Sequence, residues 1–112
     1  MDEETTNEET ISLGGNIELS GFKEFDRGTM VVVKKIVGNN TKKISTMTPN
    51  FEKISLHLKK IHGESEEEKG LFELHAKLFT GGKQYIAHSN ERNLFFALSD
   101  VFEKLEKQLQ NK

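Results

Sequence analysis

The sequence of 112 residues contains no cysteine and only one proline, Pro49. Without cysteine the chain has no disulfide, no thiolate nucleophile and no cysteine-ligated zinc site. No apolar run approaches the ~20 residues that span a bilayer, and the first residues are acidic where a signal peptide would be basic and then apolar. We therefore expect a soluble, cytoplasmic protein without a membrane partner.

Catalytic motifs are missing as well. The sequence has no Gly-rich phosphate loop, no metalloprotease helix and no nucleophile elbow, and its two Gly-Gly pairs suit ordinary turns. The acidic cluster at residues 66 to 68 has no apolar surroundings of the kind that acid–base catalysis needs, so we interpret it as solvated charge. We expect no enzymatic activity, no cofactor and no small-molecule substrate.

Charge is distributed unevenly along the chain. The net charge is -2, but residues 1 to 10 and 64 to 69 together hold nine acidic residues and one basic residue. The rest of the chain has nine acidic and 15 basic residues, which gives it a net charge of +6. A basic body with acidic appendages favours an anionic partner more than the overall charge does.

The segment from residue 26 to residue 44 permits two interpretations. Its run of β-branched residues suits a strand, whereas Val33, Ile36, Val37 and Ile44 recur at helical spacing. We predict a helix. The Gly-Asn-Asn sequence at residues 38 to 40 forms helices poorly, so this helix could be frayed or broken.

Alternation of apolar and polar residues predicts four strands, at residues 17 to 21, 54 to 59, 72 to 78 and 84 to 89. The sequence Thr-Gly-Gly-Lys at residues 80 to 83 predicts a hairpin turn between the last two strands. A final helix is predicted from an apolar stripe at Leu94, Leu98, Val101, Phe102, Leu105 and Leu109.

These elements predict an α+β fold with the order β-α-β-β-β-α. Residues 1 to 14 are acidic and almost free of apolar side chains, so we expect a flexible tail there and a single domain at residues 15 to 112. The crossover helix pairs the first two strands in parallel, and a meander completes a four-stranded mixed sheet with both helices on one face.

Candidate binding residues lie on the outer side of the last helix. Lys104 and Lys107 point away from the apolar stripe, where they could bind phosphates, although a solvated face interrupted by Asp100 is the alternative. Phe96 lies near these lysines on the outer side of the helix. It is either a stacking or interface residue or the partner of a neighbouring loop.

Three histidines, His57, His75 and His88, fall on the outward phase of three neighbouring predicted strands. Some strand registers would bring them together into a metal or anion site, whereas others leave them apart on a solvated surface. Because the register cannot be read from one sequence, we interpret them as solvated and predict no metal site.

Two stretches of the C-terminal half carry a family resemblance, LFELHAKLFTGGKQYIAHS and NLFFALSDVFEKLEKQL. Together they resemble the short form of the hibernation-promoting factor and ribosome-associated inhibitor A family, also called sigma-54 modulation proteins. The family's helix pattern matches here at Phe95, Ala97, Leu98, Glu103, Lys104, Leu105, Lys107, Gln108 and Leu109. The N-terminal half resembles the family more weakly, through residues 17 to 21 and Lys43-Ile44.

The resemblance implies a fold similar to double-stranded-RNA-binding domains with an added strand, and no catalysis. It implies binding to the RNA of the small ribosomal subunit, where messenger and transfer RNA would sit. Basic residues of both helices contact RNA in the family, which assigns RNA binding to Lys104 and Lys107 and, by a looser alignment, to Lys34, Lys35, Lys42 and Lys43. The dimerising domain of the long forms has no counterpart in these residues, so we expect a monomer.

Two other functions fit the same residues. A generic structured-RNA-binding domain would read the shape of a duplex without recognising the ribosome. A protein-interaction module would use the acidic tail and Phe96 as contacts, with the lysines serving only as solvated charge.

Overall fold

The structure, a computed structural model, describes residues 10 to 62 and 69 to 111. Five strands form one mixed sheet in the order β1 (Thr10–Leu13), β2 (Ile17–Ser20), β3 (Phe51–His62), β4 (Lys69–Thr80) and β5 (Lys83–Glu91). Helix α1 (Arg27–Met47) connects β2 to β3, and helix α2 (Leu94–Gln110) follows β5. The α+β class, both helices and the four expected strands are therefore confirmed.

The sheet has one strand more than the four predicted. Strand β1 pairs antiparallel with β2, with Ile11 opposite Leu19, inside the stretch that was expected to be a tail. Residues 1 to 9 lie outside the described part of the chain. The remaining pairings agree with the prediction, because β2 and β3 are parallel while β3, β4 and β5 form an antiparallel meander.

Helix α1 is continuous through residues 38 to 40. The Asp26 carboxylate accepts a hydrogen bond from the Thr29 backbone N–H at 2.8 Å and caps the first turn. Hydrogen bonds from the Thr29 side chain and from its backbone N–H lower the pKa of Asp26. The Asn40 side chain donates to the Ile36 carbonyl at 2.8 Å, so its amide is satisfied within the helix although it is half-buried. Both contacts help a segment with weak helix formers to stay helical.

The core lies between the helices and one face of the sheet. Leu19, Leu56, Ala76 and Ala87 form a single cross-strand row, and all four are buried. Helix α1 covers this face with Val33, Val37, Thr41 and Ile44, and α2 covers it with Leu94, Ala97, Leu98, Val101, Phe102, Leu105 and Leu109. Because both helices pack on the same side, no helix among residues 10 to 62 and 69 to 111 covers the opposite face of the sheet, which we call the open face.

Gly21 is required where β2 ends against β3. Its φ is +83°, and a Cβ at this position would overlap the Leu58 carbonyl oxygen. Gly38 differs, since it lies inside α1 and a Cβ there would meet no atom within 4 Å apart from the adjacent backbone of its own helix.

We predict that Gly21→Ala lowers the free energy of unfolding by about 2 kcal/mol or more, because left-handed backbone and steric overlap act together. Gly38→Ala should raise it by about 0.5 to 1 kcal/mol, since alanine loses less entropy in a helix. Urea denaturation of both variants measures the difference. A Gly21→Ala protein as stable as the parent would contradict this packing of β2 on β3.

Candidate functional site

The outer face of α1 is basic and free of acidic residues. The helix contains Arg27 and four lysines and no aspartate or glutamate. Lys34, Lys35 and Lys42 are all exposed, and within residues 10 to 62 and 69 to 111 no acidic side chain forms an ion pair with them. We call these three residues the α1 basic face. Their charges are available to an anionic partner.

Lys43 has a different environment from the other lysines of α1. Its ammonium lies 3.3 Å from the Glu106 carboxylate of α2, and the Glu106 side chain is only 15% exposed. The pair joins the two helices. We therefore assign Lys43 a structural contact in addition to the RNA contact that the resemblance implies.

Lys104 is held at the free edge of β5. Its Nζ donates to the His88 carbonyl at 2.8 Å and lies 2.9 Å from the Asp100 carboxylate one turn earlier. Gln108 donates to the Ile86 carbonyl on the same edge, also at 2.8 Å. Exposed edge carbonyls invite pairing with other chains, so α2 protects this edge.

Lys107 is freer than Lys104. Its ammonium is 3.9 Å from Glu103, and both side chains are about two-thirds exposed, so the pair contributes little to stability. Both lysines line an open groove of about 380 Å³ between β5 and α2. Helix α2 as a whole has three acidic residues and two lysines, in contrast to α1.

Three large apolar side chains are exposed on the helices, Val31 and Val32 of α1 and Phe96 of α2. Phe96 is 65% exposed in the first turn of α2, which the Asn93 side chain caps by accepting from the Phe95 and Phe96 N–H groups. Val31 is 59% exposed in α1. Phe96 was identified from its place on the polar side of α2. Val31 and Val32, the latter 40% exposed, were missed because they lie within a β-branched run that continues into the fully buried Val33.

The strand register brings the three histidines together. His57 is opposite His75, and His75 is opposite His88, so the three form one row across the open face. The rings of His75 and His88 stack with their centroids 5.8 Å apart, and His75 Nε2 is 3.4 Å from the Glu73 carboxylate. In the described ranges no three His, Asp or Glu side chains are arranged to hold a metal ion.

The two lysines of α2 should differ in their effect on stability. Lys104→Glu removes the donor to the β5 edge and adds a carboxylate beside Asp100, so we expect a loss of about 1 kcal/mol in the free energy of unfolding. Lys107→Glu makes the same charge change at a solvated site and should cost less than about 0.5 kcal/mol. Equal urea midpoints for the two variants would show that the Lys104 hydrogen bond contributes nothing.

Asp100 should make this contact dependent on pH. The hydrogen bond from Lys104 lowers the pKa of Asp100 from its ordinary value of 3.8. A lowered pKa in the folded state means that the carboxylate stabilises the fold above pH 3.8 and that this contribution is lost as the pH falls through the lowered pKa. The destabilisation by Asp100→Asn should therefore be complete near neutral pH and shrink in acid, as followed by denaturation at several pH values.

No helix in the described part of the chain is long and apolar enough to cross a bilayer. No protein-family model matches the chain, and no curated protein matches it either. Three surfaces of the described residues are candidates for binding a partner. They are the α1 basic face, the groove lined by Lys104 and Lys107, and the open face of the sheet.

Proposed function

We propose that this protein is a non-enzymatic, RNA-binding inhibitor of translation of the ribosome-hibernation type. In this proposal it binds the small ribosomal subunit in the messenger and transfer RNA channel as a cytoplasmic monomer, without a cofactor. The α1 basic face is the observation that carries the proposal, because three exposed lysines on an acid-free helix suit the phosphates of ribosomal RNA.

The two helices would contribute unequally to this contact. Ionised phosphates repel carboxylates, and α2 presents Asp100 and Glu103 beside its lysines whereas α1 presents none. Lys104 would also have to share its ammonium with the His88 carbonyl. We therefore assign most of the electrostatic attraction to α1, with Lys107 as the freer contact on α2.

The resemblance supplies the specific partner within this proposal. The order β-α-β-β-β-α that it implies is present from β2 to α2, and both helices lie side by side on one face. This arrangement is compatible with two helices that contact one RNA surface together. The similarity to double-stranded-RNA-binding domains that the resemblance implies is part of this proposal. A generic structured-RNA-binding function is the alternative on the same residues.

A protein-interaction function is the second candidate, and the exposure of Phe96 and Val31 favours it. Exposed aromatic and aliphatic side chains are common at interfaces between proteins. Such an interface would depend on Phe96 and only weakly on salt, whereas a phosphate contact would depend on the lysines and strongly on salt.

The RNA contact can be tested by neutralising the two outermost lysines of the α1 basic face. We expect Lys35→Gln with Lys42→Gln to weaken co-sedimentation with small ribosomal subunits and to reduce the slope of log affinity against log salt by about two. The fold should persist, because neither side chain is buried. Lys60→Gln with Lys83→Gln is the matched control, since both lysines are exposed near opposite ends of the sheet.

Unchanged subunit binding and salt slope in the α1 double variant would contradict the proposal. Loss of binding in Phe96→Ala, with little dependence on salt, would favour a protein partner instead. A competition experiment distinguishes ribosome recognition from generic RNA binding. An excess of plain duplex RNA should leave subunit binding intact if the protein recognises the ribosome, and should abolish subunit binding if the protein recognises duplex shape.

A further inference from the structure

We propose that the open face of the sheet is a second RNA-binding surface, which takes a single-stranded segment on the row of His57, His75 and His88. This surface is on the opposite side of the sheet from α1 and α2. The inference rests on different residues from the proposed function and does not depend on it.

The three histidines form one row across neighbouring strands, and two of their rings are in contact. They occupy matched positions on β3, β4 and β5, where neighbouring strands lie about 4.8 Å apart. The His75 and His88 rings are tilted by only 30° with their centroids 5.8 Å apart, and both histidines are partly or fully exposed. Planar rings on a sheet are stacking platforms for unpaired bases.

The charge around the row suits a phosphate backbone. Lys59 and Lys77 flank it on either side and are exposed, and no acidic side chain of the described residues pairs with either. Glu18 of this face pairs with Lys53 at 3.6 Å, which leaves Lys59 and Lys77 against the carboxylate of Glu73, 3.4 Å from His75 Nε2. The charge around the row is therefore net positive.

Hydrogen-bonding groups and one apolar side chain complete the surface. The row continues from His57 to Ser20 and Thr10, whose hydroxyls are 3.3 Å apart. Ile86, opposite Lys77 in the next row, is 52% exposed. Hydroxyls hydrogen-bond the edges of unpaired bases, and an exposed aliphatic side chain beside planar rings adds apolar surface for a base to pack on.

A single strand fits this face better than a duplex or a metal ion. A duplex keeps its bases stacked on each other and offers none of their faces to the rings. The histidines lie side by side on neighbouring strands and do not converge on a point. In agreement with this, no three His, Asp or Glu side chains of the described residues are arranged to bind a metal ion. Unpaired bases are therefore the ligand that the geometry selects.

The test uses a fluorescein-labelled oligoadenylate of about eight nucleotides, within the usual site size for single strands, and fluorescence anisotropy at fixed salt. We expect the full chain to bind it and His75→Ala with His88→Ala to weaken binding about tenfold or more, as loss of stacking on one or two bases would. His75→Phe with His88→Phe keeps planar rings without the imidazole nitrogens and should bind as the parent does.

Thermal melting shows whether each variant is folded, and the Phe pair is the matched control for the Ala pair. No binding by the parent, or equal binding by the Ala pair and the parent, would overturn the proposal. Loss of binding in the Phe pair as well would also overturn it, because the rings would then act through their nitrogens and not by stacking.

The α1 double variant distinguishes RNA binding by the open face of the sheet from RNA binding by the helices. Lys35→Gln with Lys42→Gln should leave oligoadenylate binding unchanged, whereas Lys59→Gln with Lys77→Gln should weaken it and lower its salt slope by about 1.4. If only the α1 variant weakened oligoadenylate binding, the single strand would be held by the helices and the sheet-face proposal would fail. Subunit co-sedimentation is measured independently of both results.

Discussion

The register of β3, β4 and β5 is the constraint on which the rest of the structure depends. Side chains alternate between the two faces of a strand, so a slip of one residue would exchange the buried and exposed sets. In the observed register Leu56 faces Ala76 in the core, and His57 faces His75 on the open face. The same pairing therefore determines both the core that the helices cover and the row of rings on the opposite side.

Helix α2 combines two structural tasks that limit what its lysines can do. Its apolar stripe completes the core, and Lys104 and Gln108 reach sideways to the carbonyls of the β5 edge. An RNA contact through Lys104 would compete with this edge hydrogen bond and with Asp100. The α1 basic face has no such competing task, and for that reason α1 is the better candidate for the main electrostatic contact.

The two proposed RNA surfaces differ in the chemistry that they offer. The helix side presents separated ammonium groups on a convex surface, which suit the phosphates of a folded RNA. The sheet side presents adjacent rings with lysines around them, which suit unpaired bases. A protein with both could hold structured RNA on one side and a flexible strand on the other.

Much of the fold could be predicted because its signals are local. The apolar stripe of α2 repeats over four turns, and the alternation in β3 and β4 identifies the inward residues without any long-range information. Strand β1 was missed since its four residues follow an acidic stretch and carry only two apolar side chains. Such a strand is stabilised by pairing with β2, which its own sequence does not show.

By itself, therefore, the sequence determined the α+β order, the helical character of α1 and the positions whose side chains face the core. Only the tertiary structure decided that β1 joins the sheet, that His57, His75 and His88 share a row, and that Lys104 is engaged while Lys35 is not. The physical reason is that periodicity is a property of one segment, whereas register and ion pairing depend on residues distant in the chain.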